Sequence, residues 1–397
     1  MHAASFLSRW LDISTVVRHR ARVQSLARAV QALLDGKKLA LTHLGRHRAG
    51  PAHVKHHIKA MDRLLGNSHL HDERDGLYRA MARSLLVGQR NPVILVDWSD
   101  FELERQWLML KAAVPVEGRA ITIYEQVFPF RCYNSPGAHR QFLERLKSIL
   151  PDSCVPTVIT DAGFRGPWFR AVEALGWNWI GRIRNSIKYF NEATGRWCLT
   201  KSLYPKATTK VRHIGWVTLS KRKKYGFRLY LVRAYRVRRG RPVKRVYRKQ
   251  SNLPMYHKMH KDPWLLATNL PHSRLMPRQV KRLYAQRMQI EETFRDVKGH
   301  QWGMGLRYAR CNSAKRLEVL LLIAALATLV LWMSGLHARL EGVGRQFQAN
   351  TLRSRAVLSL VFLGQQFLQR LRSPIPIDAL DRAFFMLQIL MRKAAMT

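Results

Sequence analysis

Pro92–Asp100, PVILVDWSD, sets four consecutive aliphatic residues ahead of two acids. A short apolar run of this kind reads as a strand buried on both faces, with Asp97 at its end. Outward from it, Trp107–Phe128, WLMLKAAVPVEGRAITIYEQVF, reads as two further strands joined by a turn near Glu117-Gly118. A helix is expected over Gly137 to Leu150. Val155–Phe164, VPTVITDAGF, is a second buried strand that closes on an acid, Asp161, with Gly163 loosening the exit. A helix from Trp168 to Leu175 and the strand WNWIGRIR from Trp177 complete the unit. The order strand, strand, strand, helix, strand, helix, strand predicts an α/β fold with acids at the ends of its first and fourth strands. Ligands gather at strand ends in such sheets, which places the two Asp to share a metal site. An Asp after a strand is also an ordinary turn former or helix cap, so neither is decisive alone.

A third carboxylate stands far downstream. Lys281–Lys298, KRLYAQRMQIEETFRDVK, reads as one helix with two different faces side by side. At about 100° per residue, Leu283, Ile290, Phe294 and Val297 share an arc expected to be buried. Tyr284, Arg287, Glu291 and Lys298 fall in the neighbouring arc, on the rim of that stripe. A partly buried Glu flanked by two cations and a phenol suits a metal ion and the phosphates around it: the carboxylate ligates, while Arg and Lys neutralise phosphate oxygens. A plain surface helix carrying an Arg287–Glu291 pair would show the same spacing. Glu292 points about 100° further round and is assigned to structure.

With 69 basic against 25 acidic residues, the chain carries +44 over its whole length. The expected partner is a polyanion touched by several domains, and nucleic acid is the default. The four cysteines lie far apart, which indicates neither a zinc site nor a disulfide framework, and a reducing cytoplasm is the simplest home. Val319–Leu336, VLLLIAALATLVLWMSGL, carries no charge. It reaches the lower limit for a membrane span, but a single run of near-minimal length in a basic chain reads as a buried helix.

Residues 1 to about 85 read as helical, with two short helices broken at Gly50 and Pro51 and a stop at Gly66-Asn67. The second carries His53, Lys55, His56, His57, Lys59 and Arg63, a face that could lie in a DNA groove or simply be solvated. Alternating strand-like segments and the very basic RRGRPVKRVYRKQ occupy about 200 to 262 and read as an inserted β-rich subdomain with a cationic loop. DPWLLATNLP then returns as an apolar strand. The tail from about 337 reads as amphipathic helix, suited to packing on the catalytic domain or on a second subunit.

LVDWSD, TDAGF, WLLATNLP, the Y-x2-R-x3-E-x6-K helix and FQANTLRSR together resemble bacterial insertion-sequence transposases of the DDE class with a Y-R-E-K signature, of the kind carried by insertion sequence ten. The resemblance covers most of the chain and is weakest at 1–20, about 188–260 and the last 30 residues. It implies a ribonuclease H-like catalytic core over 86–336, interrupted by the β-rich insertion, between a helical DNA-binding domain (1–85) and a helical C-terminal region (337–397). It further implies that Asp97, Asp161 and Glu291 are the catalytic and metal-binding residues, holding two Mg2+ ions for which Mn2+ would substitute. Tyr284, Arg287 and Lys298 would contact DNA phosphates. Trp264 would stack on a flipped base, unless it is a core Trp at a strand start. The reaction so implied is cut-and-paste transposition: hydrolysis, hairpin formation by the freed 3′-OH, hairpin opening and strand transfer. Partners would be double-stranded DNA, at terminal inverted repeats and at the target, and a second copy of the chain on paired ends. No membrane would be involved, and the location would be the bacterial cytoplasm, at the nucleoid. A non-catalytic DNA-binding repressor is the alternative from another class, and a ribonuclease H-like nuclease without strand transfer is the nearer one.

Overall fold

The computed structural model describes residues 16–396 apart from 18, 102–105, 185–186, 193, 220–224, 233–261, 272–276, 302, 350, 352–354 and 371–374. The basic segment RRGRPVKRVYRKQ and part of FQANTLRSR therefore lie outside the described residues. Four helices come first: α1 (Arg20–Gly36), α2 (Leu41–Arg46), α3 (Val54–Leu65) and α4 (Ser68–Leu85). The break at Gly50-Pro51 separates α2 from α3, and Asn67 caps α4 by accepting from the Leu70 amide at 3.0 Å. One expectation for α3 fails. His57 is buried rather than presented outward, because the loop that carries Arg48 and Gly50 folds over it.

The aliphatic run at 93–96 is the buried half of β1 (Val93–Asp100), so Asp97 sits inside a longer strand rather than at its end. This strand pairs antiparallel with β2 (Trp107–Pro115), and β2 with β3 (Ala120–Pro129). The turn between them uses Gly118 at φ +70°, a conformation a side chain would strain. On its other side β1 takes β4 (Thr157–Thr160) and then β5 (Asn178–Ile183), both parallel. The connections run through α5 (Pro136–Ile149), capped by Ser135, and α6 (Gly166–Ala174). The order β3-β2-β1-β4-β5, with β2 alone reversed, is compatible with a ribonuclease H-like core.

The strands that follow do not form a separate layer. β6 (Lys188–Asn191), β7 (Arg196–Leu199), β8 (Arg212–Leu219), β9 (Tyr225–Val232) and β10 (Trp264–Thr268) continue the same sheet to ten strands, joined through the antiparallel pairs β5–β10 and β10–β9. The strand-rich stretch thus begins before the expected position near 200. Tyr124 and Glu125 alternate across β3, so one face of the sheet meets Phe142 of α5 while the other meets the helices that return after β10.

The expected single helix over 281–298 is two: α7 (Pro277–Ala285) and α8 (Met288–Lys298). Between them the amides of Gln286 and Arg287 bond three residues back, to Leu283 and Tyr284, tightening the chain at the junction. Leu283, Ile290, Phe294 and Val297 are nonetheless all buried. Next comes α9 (Ala314–Leu340), long and apolar enough to cross a bilayer, with its most apolar window wholly buried inside the protein. It packs against α1, α4 and β3, and against α10 (Leu360–Arg370) and α11 (Ile377–Met396). All four cysteines are free.

Candidate active site

Strand register brings the two aspartates together. Leu95 of β1 is paired with Ile159 of β4 in parallel, so Asp97 and Asp161, each two residues further, come level at neighbouring positions. Asp97 Oδ1 accepts from the Trp98 amide at 2.8 Å, and Asp161 Oδ1 from the Gly163 amide at 2.8 Å. A Cβ at 163 would lie 3.0 Å from Asp161 Oδ1, so any larger residue there would push that carboxylate aside by a few tenths of an ångström. Glu291 enters from the first turn of α8. The three carboxylates line one cavity of about 530 Å³, together with Lys298, Arg307 and Asn134.

Arg287, at the junction of α7 and α8, reaches the acids from the rim. Its Nη2 donates to Glu291 Oε1 at 2.7 Å, and its Nη1 lies 3.4 Å from Asp97 Oδ2. Lys298, at the far end of α8, donates to Ser99 Oγ at 2.7 Å and to Asp100 Oδ1 at 2.9 Å, tying the helix to β1. Burial, and then the neighbouring Asp161, push the Asp97 carboxyl up to about 8; Arg287 opposes this and Glu291 adds to it. Burial alone would lower the Arg287 guanidinium, but Tyr284 and the carboxylates of Asp97 and Glu291 outweigh it and raise it. Burial lowers the Lys298 ammonium against the pull of Asp100.

Two of the residues expected at the site stand behind it. Tyr284 is 3% exposed and makes an edge-to-face contact with Trp264, ring centroids 5.0 Å apart. Trp264 is half-buried at the start of β10, and neither ring lines the acidic cavity. Helical spacing ranks Tyr284 with the rim, but a neighbour from a distant strand covers it. Glu292 faces away and pairs with Arg119 and Arg295.

Sequence reasoning did not anticipate Asn134, Asp100 or Arg307. Asn134 adopts φ +55°, and its Oδ1 is buried without a hydrogen-bond partner. Its only sequence signal is the turn-forming run Asn134-Ser135-Pro136 ahead of α5. Asp100 lies within LVDWSD and is picked out only by its contact with Lys298.

The donor set fits a hard divalent cation: three carboxylates line one cavity, while the Oδ1 of Asn134 beside them is itself buried. Repulsion between Asp97 and Asp161 is the kind of cost such a cation relieves. Among the described residues no three His, Cys, Asp or Glu side chains are gathered closely enough to hold an ion. Arg287 instead bridges two of the acids.

The family model described as Transposase DDE domain matches residues 88–328, more than half of the chain. The chain belongs to the DDE transposase family. No curated protein matches it. The matched segment runs from just before β1 into α9, so the three acids, Arg287 and Lys298 of this DDE transposase all fall inside the catalytic domain that defines its family. That membership makes the chain an enzyme acting on DNA.

Proposed function

We propose that the chain is the transposase of a bacterial insertion sequence of the insertion-sequence-ten kind, moving its element by cut-and-paste transposition. The observation that carries this reading is the convergence of Asp97, Asp161 and Glu291, from two adjacent strand positions and a distant helix, on one cavity. These carboxylates would hold divalent cations, Mg2+ in the cell and Mn2+ as a substitute. When bound, the cations supply Lewis-acid polarisation of phosphate oxygens and lower the pKa of water at the site.

The chain's own residues do the rest. Lys298 and Arg307 bring positive charge to the cavity that a scissile phosphate would enter, and neutralise its non-bridging oxygens. Arg287, with Tyr284 behind it, bridges Asp97 and Glu291, and its guanidinium would turn to a phosphate once cations take over those carboxylates. Water cleaves the first strand. The freed 3′-OH attacks the opposite strand to give a hairpin, which is opened before the 3′-OH is joined to target DNA. Each step exchanges one oxygen for another at phosphorus, so one site serves all of them, and no bond to the protein forms. The substrates are double-stranded terminal inverted repeats and target DNA, engaged by two copies of the chain on paired ends, in the cytoplasm. Trp264 would reach a displaced base only if DNA opened its contact with Tyr284.

Incubating the full chain with a DNA duplex that carries the element's own end tests this. Wild type should nick and then join that end in Mg2+, and Asp97→Asn should bind the end without cutting it. Cutting by Asp97→Asn would remove the carboxylate site from the reaction.

A further inference from the structure

Asp97 and Trp98 are successive residues of β1, so their side chains leave opposite faces of the sheet. The carboxylate faces α8. The indole faces α5, where its Nε1 donates to Nε2 of His139 at 3.3 Å. His139 is 4% exposed, and burial keeps its imidazole neutral and able to accept. The same ring stacks on Phe164, centroids 5.3 Å apart, and meets Trp168 of α6 edge-on at 4.9 Å. Nothing in the reaction proposed above uses this histidine.

Its place relative to the acids gives it a use. The ladder between β1 and β4 runs from Val93 paired with Thr157 to Leu95 paired with Ile159, and stops two residues short of both Asp97 and Asp161. Beyond it, two carboxylates at neighbouring positions repel each other, and strand pairing does not oppose them. Asp97 Oδ1 is held by the Trp98 amide, and Asp161 Oδ1 by the amide of Gly163, the residue before Phe164. Each carboxylate is therefore anchored to a backbone segment whose aromatic side chain packs on His139. One imidazole clasps both segments without lining the cavity itself.

We propose that His139 is a positioning residue for the metal site: by accepting from the Trp98 indole while it packs on Phe164, it takes over from the strand ladder in fixing the spacing of Asp97 and Asp161. The proposal rests on the reading of these carboxylates as the cation site. It adds a group that touches neither cation nor DNA and acts from the far face of the sheet.

The test is Mn2+ binding to the full chain, read from the loss of the free ion's electron paramagnetic resonance signal, with the melting temperature taken on the same samples. His139→Phe keeps a ring against Phe164 and Trp168 and drops the acceptor; Trp98→Phe keeps a ring and drops the donor. Each should weaken Mn2+ binding about tenfold, the low end for groups that support a metal ligand from behind. The double variant should be no weaker than either alone. His139→Gln offers a carbonyl oxygen to the same indole and should restore most of the affinity. A merely structural histidine would lower the melting temperature of His139→Phe and leave the affinity of the folded protein alone. Wild-type affinity in either Phe variant would overturn the proposal, as would effects that add in the double variant; Trp98→Phe decides the matter if His139→Phe does not fold. Asp97→Asn should lose the ion. Equal binding by that variant would sink the carboxylate site as a whole, whereas an unchanged affinity in His139→Phe, in a chain that binds Mn2+ through Asp97, would sink this role alone.

Discussion

Asp97 and His139 lie on opposite sides of β1, and burial displaces both from their usual titration range, in opposite senses. Burial and the neighbouring Asp161 push the Asp97 carboxyl well above its unfolded value, to about 8, so the metal-free protein loses stability as pH rises from the ordinary carboxylate range towards that point. Asp97→Asn removes that cost. At pH 8 without divalent ions it should melt above wild type, while its cleavage rate falls by more than about a hundredfold. Added Mg2+ should raise the wild-type melting temperature and leave that of the variant nearly unmoved. Equal melting temperatures in the metal-free state would remove the electrostatic argument. His139 accepts from Trp98 Nε1 at 3.3 Å and stacks against Phe164, and burial pulls it down to about 4. Its folded pKa lies below the unfolded one, so its contribution is intact above about 6.5 and is lost as pH falls towards 4, by up to about 3 kcal/mol. His139→Gln keeps an acceptor for Trp98 and cannot titrate. The stability difference between the two proteins, from urea unfolding at pH 7 and pH 4, should shift by that amount in favour of the variant.

At the scale of elements, a buried charge pair ties the sheet to the N-terminal helices. Lys111 of β2 and Glu125 of β3 are register partners, 2.9 Å apart and each 1% exposed. The Tyr78 hydroxyl of α4 donates to Glu125 Oε1 at 3.2 Å, and Arg74 donates to the Glu125 carbonyl at 3.1 Å. Removing one partner strands the other charge in the core, so Glu125→Leu should cost about 3–5 kcal/mol in urea unfolding. Adding Lys111→Met in that background should recover most of the loss; no recovery would mean that packing, not charge, is at stake. That Asp97 and Asp161 would lie side by side was legible in the chain, because each follows a short aliphatic run that reads as a buried strand, although β1 runs on past Asp97. The burial of Lys111 was not, because WLMLKAAV places a lysine in an apolar strand without naming the glutamate opposite it. Tyr284 and His57 were misplaced for the same reason: helical spacing ranks residues around one axis, and the rings and loops that cover them come from elsewhere. The break between α7 and α8 carries no Gly or Pro, and the attachment of β8 and β9 to the central sheet depends on β10 pairing with β9 from Trp264–Val232 to Thr268–Arg228, a contact between distant segments that local periodicity does not register.

For the molecule as a whole, α9 decides how separable the expected domains are. The helix is apolar on every side and is covered by α1 and α4 from the N-terminal region, by β3 from the sheet, and by α10 and α11 from the C-terminal region. The contact with α10 is backbone to backbone: a Cβ on Gly364 would come 2.0 Å from the Leu331 carbonyl, and one on Gly335 would come 2.0 Å from that of Leu360. Gly364→Val must therefore separate the two helices, and overpacking of this kind costs about 1–3 kcal/mol or more. A chain ended before α10 takes away that cover altogether and leaves one face of a membrane-length apolar helix bare. It should pellet with membranes or aggregates, whereas the full chain should be released by alkaline, high-salt washing that strips it from nucleic acid. Retention of the full chain in the washed membrane pellet would contradict a core role for α9, and a truncated chain that stayed monodisperse in the supernatant would show that the C-terminal helices are not part of the core.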